Sequence, residues 1–261
     1  MGDLGSDARW ASIGVRAIES YALRTTCPTS HRELPSVEPT LIFNSGEPIS
    51  IVDALGNTLT VDTNQVFYAG LHHRHCFSQA GRSQSGFHIR LSQLAAYRIL
   101  GGDAARCTDR AVLIDDLASN FRMALSHHDG ADPGKVRSSL CSALQDAARN
   151  ADEPSKEIVW SITQLMRPDV RVGALASELG WSRRLLVARF KDVMGVSPKS
   201  FARMARFQRL IKGLKREGDR AWAARAVAAG YFDQAHMIRD FREFTGLSPR
   251  AYLKEAVTSV Q

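Results

Sequence analysis

Hydrophobic positions follow two different periods along the 261 residues of this chain. From Ile13 to about Arg90, short apolar or β-branched runs alternate with turn formers, as in PTLIFNSGEPISIVDALGNTLTVD. This alternation is typical of β-strands, and the short spacing of the runs favours an antiparallel sheet or a small barrel. After Ser92 the apolar residues recur at intervals of three and four residues. That period predicts helices in LAAYRILGG, in VLIDDLASNFRMALSHH and from Val136 to Arg149.

A break between Asn150 and Ser155 divides the chain. The segment NADEPS combines turn formers, acids and a proline, and it precedes a helix that we expect from Lys156 to Met166. A shorter loop is expected from Asp129 to Gly134, and the helical period then holds nearly to the end. We therefore predict an α+β protein, with an antiparallel β-domain carrying helices over residues 1–150 and an all-α domain over residues 155–256.

Residues 172–252 contain nearly the same pattern twice. The first copy is GALASELGWSRRLLVARFKDVMGVSPKSF and the second is ARAVAAGYFDQAHMIRDFREFTGLSPRAY. Each has a small-residue helix, a break of glycine followed by an aromatic residue, and a second helix, which is the pattern of a helix-turn-helix. Matching positions lie 51 residues apart (241 − 190): Phe190 and Phe241, Gly195 and Gly246, Ser197 and Ser248, Pro198 and Pro249, Phe201 and Tyr252. Two such units predict a protein that reads DNA.

The positive charge coincides with this duplication. The chain has 34 Lys and Arg against 27 Asp and Glu, a net charge of +7. Residues 1–154 hold 14 basic and 17 acidic residues (net −3), whereas residues 155–261 hold 20 and 10 (net +10). A basic segment attracts a polyanion through phosphate neutralisation and counterion release, so double-stranded DNA is the expected partner.

Each copy predicts one helix with an outward polar face. In the first copy Ser182 is placed to cap a helix from Arg183 to Met194, because Ser is a preferred N-cap residue. With Leu186, Phe190 and Val193 pointing inwards, the outward positions are Arg183, Arg184, Val187, Ala188 and Lys191.

In the second copy Asp233 caps a helix from Gln234 to Phe244, with Met237, Phe241 and Phe244 inwards. Its candidates for the surface that enters a major groove are Gln234, His236 and Arg239. Glutamine pairs bidentately with adenine and arginine with guanine. The alternative interpretation is that these side chains are merely solvated.

A helix from Phe201 to Leu214 is expected to connect the two units stiffly. Basic residues recur in it at every third position, and a step of three drifts about 60° each time around a helix. They therefore wrap around the helix, and we expect a solvated flank with one or two phosphate contacts. These residues are Arg203, Arg206, Arg209, Lys212 and Lys215.

At these residues the chain resembles the AraC/XylS family of bacterial transcription regulators. GYFDQAHMIRDFREFTGLSPRAY is similar to the signature of that family's second helix-turn-helix, WSRRLLVARFKDVMGVSPKSF is similar to its first, and the resemblance covers Ser155 to Ala256. It implies a seven-helix domain with two tandem reading heads at promoter-proximal DNA, and contact with RNA polymerase that activates or, less often, represses transcription. We expect an activator.

The resemblance also assigns base-reading positions. In the second head they fall on Gln234, His236 and Arg239. In the first head they fall on Arg184, Val187 and Ala188, and there this sequence departs from the family's usual Gln-Arg type of pair. Neither Val187 nor Ala188 can donate a hydrogen bond to a base, so the first head is expected to read a thymine methyl or to hold phosphates. The phosphate-holding residues are Arg183, Arg184 and Lys191.

The first half resembles the N-terminal region of a subset of these regulators, in FYAGLHHRH, in GFHIRLSQLAAYRILGG and in DRAVLIDDL. This implies a cupin-like β-barrel with helices that serves for binding a small-molecule effector, for forming a homodimer, or for both. A dimerisation module without a ligand remains an alternative.

A histidine cluster at His72, His73 and His75 suggests a rival function, a cupin-type metalloenzyme fused to a DNA-binding tail. On a strand, His73 and His75 would share a face, with His88 as a third ligand. No acidic ligand stands near them in the expected place, so we expect no metal. The histidines keep metal binding as an alternative.

Other chemistry finds little support in the sequence. The four cysteines have no zinc-site spacing and are expected to be reduced structural thiols: Cys27, Cys76, Cys107 and Cys141. No catalytic triad, phosphate loop or paired-carboxylate motif is present, so we expect no enzyme activity and no cofactor. Without a secretion signal or a run of about 18 apolar residues, the protein is expected to be cytoplasmic, with no membrane partner.

Overall fold

The computed structural model describes residues 10, 12–117, 132–149, 152–216 and 222–258. Its strands lie in the first half: β1 (Val15–Arg24), β2 (Thr29–Glu33), β3 (Thr40–Asn44), β4 (Ile49–Val52), β5 (Thr58–Val61), β6 (Gln65–Ala69), β7 (Cys76–Ala80), β8 (Ser83–Leu91) and β9 (Ala111–Leu113). The helices of that half are α1 (Gln93–Leu100), α2 (Gly102–Arg106) and α3 (Pro133–Arg149). Those of the second half are α4 (Lys156–Leu165), α5 (Val172–Glu178), α6 (Arg183–Met194), α7 (Pro198–Arg216), α8 (Trp222–Ala229), α9 (Gln234–Thr245) and α10 (Pro249–Thr258).

The strands form two antiparallel sheets, with the order β1-β8-β3-β6-β9 in one and β2-β7-β4-β5 in the other. Apolar residues alternate along them, as expected for strands with two different faces. On β3, for example, Leu41 and Phe43 face the helices, whereas Ile42 faces the other sheet. The predicted α+β class is confirmed. Among the described strands the two sheets stay separate and open, so they do not close into a barrel.

Two apolar layers hold this half together. Between the sheets lie Ile49, Ile51, Val61, Phe67 and Ala80. On the outer face of the five-stranded sheet, helices α1 and α3 bury a larger layer that includes Phe87, Ile89, Ala96, Leu140 and Leu144. Side chains fill the space between the sheets only in part, and a cavity remains there.

The helix predicted for VLIDDL is wrong at its start, whereas Ile114–Asp116 forms one turn of 3-10 helix. Ala111–Leu113 forms strand β9, which pairs antiparallel with β6 and places Leu113 opposite Phe67. Hydrogen bonds to the edge of β6 and packing between the sheets favour the strand over the local helical period. The continuation over residues 118–131, with the first half of the loop expected at Asp129 to Gly134, lies outside the described residues. Helix α3 already begins at Pro133.

The helices of the second half share one core built from both copies of the repeat. Phe190 stands edge-on to Phe201 with 5.6 Å between ring centroids, and Phe207 of α7 contacts both Phe241 and Phe244 of α9. Val37 and Leu71, from the first half, are buried in the same cluster. The helices of the two copies are therefore packed together, and the β-sheet half is packed against them.

Candidate nucleic-acid interface

The repeat produces two helices with the same start and the same end. Helix α6 begins after Ser182, whose Oγ accepts a hydrogen bond from the backbone N–H of Leu185 at 3.1 Å. Helix α9 begins after Asp233, whose Oδ1 accepts from the N–H of His236 at 2.6 Å. Both side chains satisfy donors that a helix N-terminus leaves without partners.

Both helices end at a glycine in the left-handed region, at φ 70° for Gly195 and 73° for Gly246. A side chain disfavours this conformation, so glycine is the usual residue there. The backbone N–H of each glycine donates at 2.8 Å to the carbonyl four residues earlier, of Lys191 and of Arg242. The matching caps give the two helices equal lengths of 12 residues.

The inward stripes are buried as the sequence predicts. Leu186 and Phe190 of α6 are fully buried, with Val193 half-buried, and Met237, Phe241 and Phe244 of α9 are buried. Because these side chains fix the rotation of each helix, the opposite faces point to solvent.

The outward face of α6 is basic with an apolar middle. Its five sequence-predicted residues are all exposed: Arg183, Arg184, Val187, Ala188 and Lys191. The three cations suit phosphate oxygens, whereas the two apolar side chains offer a base edge no hydrogen bond.

The outward face of α9 is polar, and only two of its three predicted residues lie on it. Gln234 and Arg239 are exposed. The ring of His236 stands edge-on to Tyr231 with 5.3 Å between centroids, and its Nε2 lies 3.9 Å from Asp240 Oδ2. His236 is therefore half-buried on the flank of the helix.

Sequence reasoning missed Arg242. It is exposed on α9 and lies 51 residues after Lys191, so it occupies the same place in the second unit as Lys191 in the first. The offset of the repeat is the signal that could have found it.

Three of the basic residues of α7 are not the expected solvated flank, whereas Lys212 is exposed: Arg203, Arg206 and Arg209 are each partly buried. Arg203 binds Asp240 and Glu243 of α9, with its Nη2 2.7 Å from Asp240 Oδ1. The hydrogen bonds that Arg203 donates to Glu243 and Asp240 raise the pKa of its guanidinium further above its ordinary value, against the effect of burial.

Arg209 is likewise turned into the protein. It donates to the carbonyl of Met166 from Nη1 at 2.6 Å and to that of Ala229 from Nε at 3.2 Å. Arg206 lies over the Tyr231 ring, and Lys212 Nζ is 3.9 Å from Glu38 Oε1. Residues at steps of three wrap around α7, and α7 is packed on several sides, so its cations meet carbonyls, rings and carboxylates. The side chain of Lys215 lies outside the described residues.

The β-sheet half contacts the C-terminal ends of both α6 and α9. At α9, the N–H of His75 donates to the carbonyl of Phe244 at 3.0 Å, and Arg32 Nη1 donates to that of Thr245 at 2.9 Å. At α6, a Cβ added to Gly195 would lie 2.1 Å from Thr108 Oγ1 and 2.4 Å from the carbonyl oxygen of Ala105. The first half therefore rests directly on the ends of α6 and α9.

The histidine cluster lies in a loop over residues 70–75, so the expected strand arrangement is wrong. Asp109 organises the loop: its Oδ1 accepts from the His73 N–H at 2.6 Å, and its Oδ2 lies 2.9 Å from His73 Nδ1. His75 points towards Phe77, and His72 lines a cavity between the sheets. Within the described ranges, no three His, Cys, Asp or Glu side chains are arranged to hold a metal ion.

The cysteines form no disulfide in the described part of the chain. Burial raises the pKa of Cys76 to about 12 and that of Cys107 to about 11, so both remain protonated thiols at neutral pH. A thiolate is the reactive form, and these two side chains therefore behave as small apolar groups.

The cavity between the two sheets has a volume of about 330 Å³. Its apolar wall comes from both sheets and includes Ile42, Ile49, Ile51 and Phe67. Its polar wall consists of Tyr21, His31, Glu33, Ser36, Glu38, Thr40, His72, Ser78, Gln84 and His88. A mainly apolar space with a few convergent polar groups, in this size range, is typical of small-molecule sites. Of the helices that the structure describes, none has the length and apolarity to span a bilayer.

Comparison with known proteins agrees with this geometry. Residues 175–255 match the family described as helix-turn-helix domain, and curated protein sequences give no match. A structure of ToxT from Vibrio cholerae is 12% identical, with a TM-score of 0.52, covering 90% of this chain and 97% of ToxT. A second ToxT structure, bound to a methylnaphthalenyl butenoic acid, is 14% identical with a TM-score of 0.50, covering 90% and 98%.

The likeness to ToxT shows a shared two-part fold, and the family match shows what the second part is. The family match spans both repeat copies, from Leu175 of α5 to Glu255 of α10. The chain thus carries an AraC-type helix-turn-helix domain, the DNA-binding domain of a transcription regulator, behind an N-terminal half with the ToxT fold.

Proposed function

We propose that this protein is a sequence-specific transcriptional regulator that inserts α6 and α9 into successive major-groove segments, roughly 34 Å apart on one face of DNA. The observation that carries the proposal is the pair of matching helices on one core, each with a capped start, a buried stripe and an outward polar face. In this proposal residues 155–256 act as the DNA-binding domain and residues 1–150 as the controlling domain.

The two helices have different tasks. Helix α9 reads bases, because Gln234 and Arg239 are exposed and match the adenine and guanine edges. His236 lies against Tyr231 and Asp240, so its contribution is to fix the helix flank and to present its exposed edge to DNA. Helix α6 holds the backbone through Arg183, Arg184 and Lys191, with Val187 and Ala188 placed for a thymine methyl.

The first half controls this domain by binding a small effector in the cavity between the sheets. Support comes from the cavity's volume, from its contact with loop 70–75 through His72, and from the bond of the same loop to Phe244 of α9. ToxT, which has this fold, binds a butenoic acid. We further propose that the protein forms a homodimer, contacts RNA polymerase as an activator and acts in the cytoplasm.

A binding assay with selected DNA tests the core of the proposal. Sites selected from random duplexes should contain two preferred segments about one helical turn apart, and affinity should fall steeply as salt rises. Lys191→Met should reduce the slope of log affinity against log salt by about 1, because one phosphate contact is lost. Lys156→Met, which removes an exposed cation from α4, is the matched control and should leave the slope unchanged. Binding that is indifferent to both sequence and salt would refute the proposal.

A further inference from the structure

The charged groups on the wall of the inter-sheet cavity are acidic. Glu33 and Glu38 line it, and none of the lining residues in the described ranges is a lysine or arginine. Arg32, the neighbour of Glu33, points to the opposite face of β2, where it bonds Thr245 and lies over the Phe77 ring. Alternation along the strand thus brings a carboxylate to the cavity and sends the adjacent cation away from it.

The carboxylate of Glu33 keeps acceptor capacity for a ligand. Its Oε1 accepts one hydrogen bond, from Ser78 Oγ at 2.8 Å, and an ionised carboxylate has about four acceptor sites. Both Glu33 and His31 line the cavity while remaining exposed, so a ligand can reach them from solvent. Glu38 is half-buried, and Lys212 lies 3.9 Å from it with more than half of its own side chain in solvent, so its charge is only weakly compensated.

Two histidines of the cavity, His72 and His88, add hydrogen-bonding capacity without positive charge. Burial lowers the pKa of His72, against the attraction of Asp109, Asp53 and Glu33, and burial likewise lowers the pKa of His88. Both rings are therefore neutral at pH 7. His72 is 7% exposed, and its Nδ1 is buried with no hydrogen-bond partner among the described residues. A buried nitrogen without a partner costs free energy, which a ligand that bonds it would recover.

We propose that the cavity binds an organic amine, a ligand with a protonated nitrogen near Glu33 and Glu38 and an apolar body between the sheets. Ile42, Ile49, Ile51 and Phe67 would cover the body, and a neutral His72 can bond a polar group that enters with it. A carboxylate ligand would instead meet two like charges and no cation. This inference rests on the proposed role of the cavity as an effector site and names the class of that effector.

Three ten-carbon probes with different head groups test the inference: decylammonium, 1-decanol and decanoate. Each is titrated into the full-length protein below its micelle concentration, with binding measured by calorimetry and by thermal shift at pH 7. Decylammonium should bind about tenfold more tightly than decanoate, with decanol between them, because attraction and repulsion at exposed or half-exposed carboxylates each change affinity by a few-fold. The double variant Glu33→Gln, Glu38→Gln should bring the ammonium and the carboxylate to within about threefold of each other.

Two controls fix the charge and the place. Asp62→Asn removes an exposed carboxylate from the turn between β5 and β6, outside the cavity, and should leave the order of the probes unchanged. Ala111→Phe fills part of the cavity and should weaken all three probes, with Ala69→Leu as a second blocking variant in case the first fails to fold. Ammonium binding that survives in a folded blocking variant would place the amine elsewhere and overturn the inference.

The remaining outcomes separate this inference from the function on which it rests. Decanoate that binds as tightly as decylammonium, and is lost on blocking, would overturn the amine class and leave the effector site standing. If no probe binds or shifts the melting temperature, both the amine class and the effector role of the cavity are overturned, and the first half is left as a dimerisation module.

Discussion

Replacing Arg203 by methionine should destabilise the DNA-binding domain although the side chain does not face DNA. Arg203 lies on α7, between the two helix-turn-helix units, and its Nε and Nη2 are 3.1 Å and 2.7 Å from Asp240 Oδ1 on α9. It also donates from Nη1 to Glu243 at 3.1 Å. The exposed fractions of the three side chains are 24% for Arg203, 5% for Asp240 and 52% for Glu243. The pair with Asp240 is therefore buried, and the pair with Glu243 is a surface contact.

The size of the effect follows from this difference. Removing one partner of a buried ion pair costs about 3 to 5 kcal/mol because the other charge is left without compensation. The lower end applies here, since the guanidinium keeps some contact with water. The exposed pair with Glu243 adds at most about 1 kcal/mol. We therefore expect Arg203→Met to lower the free energy of unfolding by about 3 kcal/mol.

Urea denaturation followed by helical circular dichroism measures this loss, and its pH dependence checks the mechanism. The hydrogen bond from Arg203 lowers the pKa of Glu243 below its ordinary value of 4.5. A carboxyl group with a depressed folded-state pKa adds stability above its unfolded pKa, and this is lost as pH falls through the folded value. The difference in stability between the wild type and Arg203→Met should therefore narrow as the pH falls below about 4.5.

A matched control and a mutant cycle make the prediction refutable. Arg242→Met removes an exposed arginine from α9, the helix that carries Asp240, and should change stability by no more than about 0.5 kcal/mol. A loss of under about 1 kcal/mol in Arg203→Met, or no coupling between Arg203→Met and Asp240→Asn, would refute the reasoning. The salt dependence of DNA binding should stay unchanged in Arg203→Met. If the slope of log affinity against log salt fell by about 1 in Arg203→Met, Arg203 would contact a phosphate, as the sequence led us to expect.

Three further predictions concern other parts of the molecule. Arg239→Ala should relax sequence preference at one base pair at a cost of about 1 to 3 kcal/mol, whereas Arg184→Ala should weaken matched and mismatched sites alike in competition binding; equal effects of both changes on both sites would contradict the division of tasks. Gly195→Ala should lower the melting temperature more than Gly180→Ala, because both have positive φ but only Gly195 is packed against Ala105 and Thr108; equal shifts in thermal denaturation would argue against that contact. Burial alone would raise the pKa of Asp109, but its hydrogen bonds with His73 outweigh this effect and lower the pKa. Asp109→Asn should therefore reduce stability at pH 7 and lessen the loss of stability below about pH 3.8. The same loss of stability at acid pH in the variant and the wild type, measured by urea denaturation, would count against the pair.

The repeated positions are the part of the fold that the sequence predicts best. Phe190 and Phe241 are fully buried, and Gly195 and Gly246 adopt the left-handed cap, since helix spacing and backbone sterics leave those residue types few other roles. The two helix starts follow for the same reason, because Ser182 and Asp233 bond backbone donors within a few residues of themselves.

Features that depend on distant contacts could not be obtained in this way. The helical period of VLIDDL gives way to strand β9 because β6 offers hydrogen bonds from more than 40 residues earlier in the chain (111 − 69). His73 is held by Asp109, which the sequence places 36 residues beyond it. The arginines of α7 look like a solvated set until the carboxylates of α9 and the carbonyl of Met166 are placed beside them.

The first half contacts the end of α9 through the main-chain atoms of that helix. His75 and Arg32 donate hydrogen bonds to the carbonyl oxygens of Phe244 and Thr245, atoms that every amino acid has. At α6 the contact is made at Gly195, which has no side chain. The residues proposed to face DNA lie earlier on each helix, and their side chains are not among these contacts. Under the proposed function, substituting Gln234 or Arg239 would change the target site while the first half kept its contacts with the helix. The proposed base-reading residues and the contacts of the first half can therefore be changed independently. Chimeras that exchange only the outward faces of α6 and α9 should keep the response of the original first half.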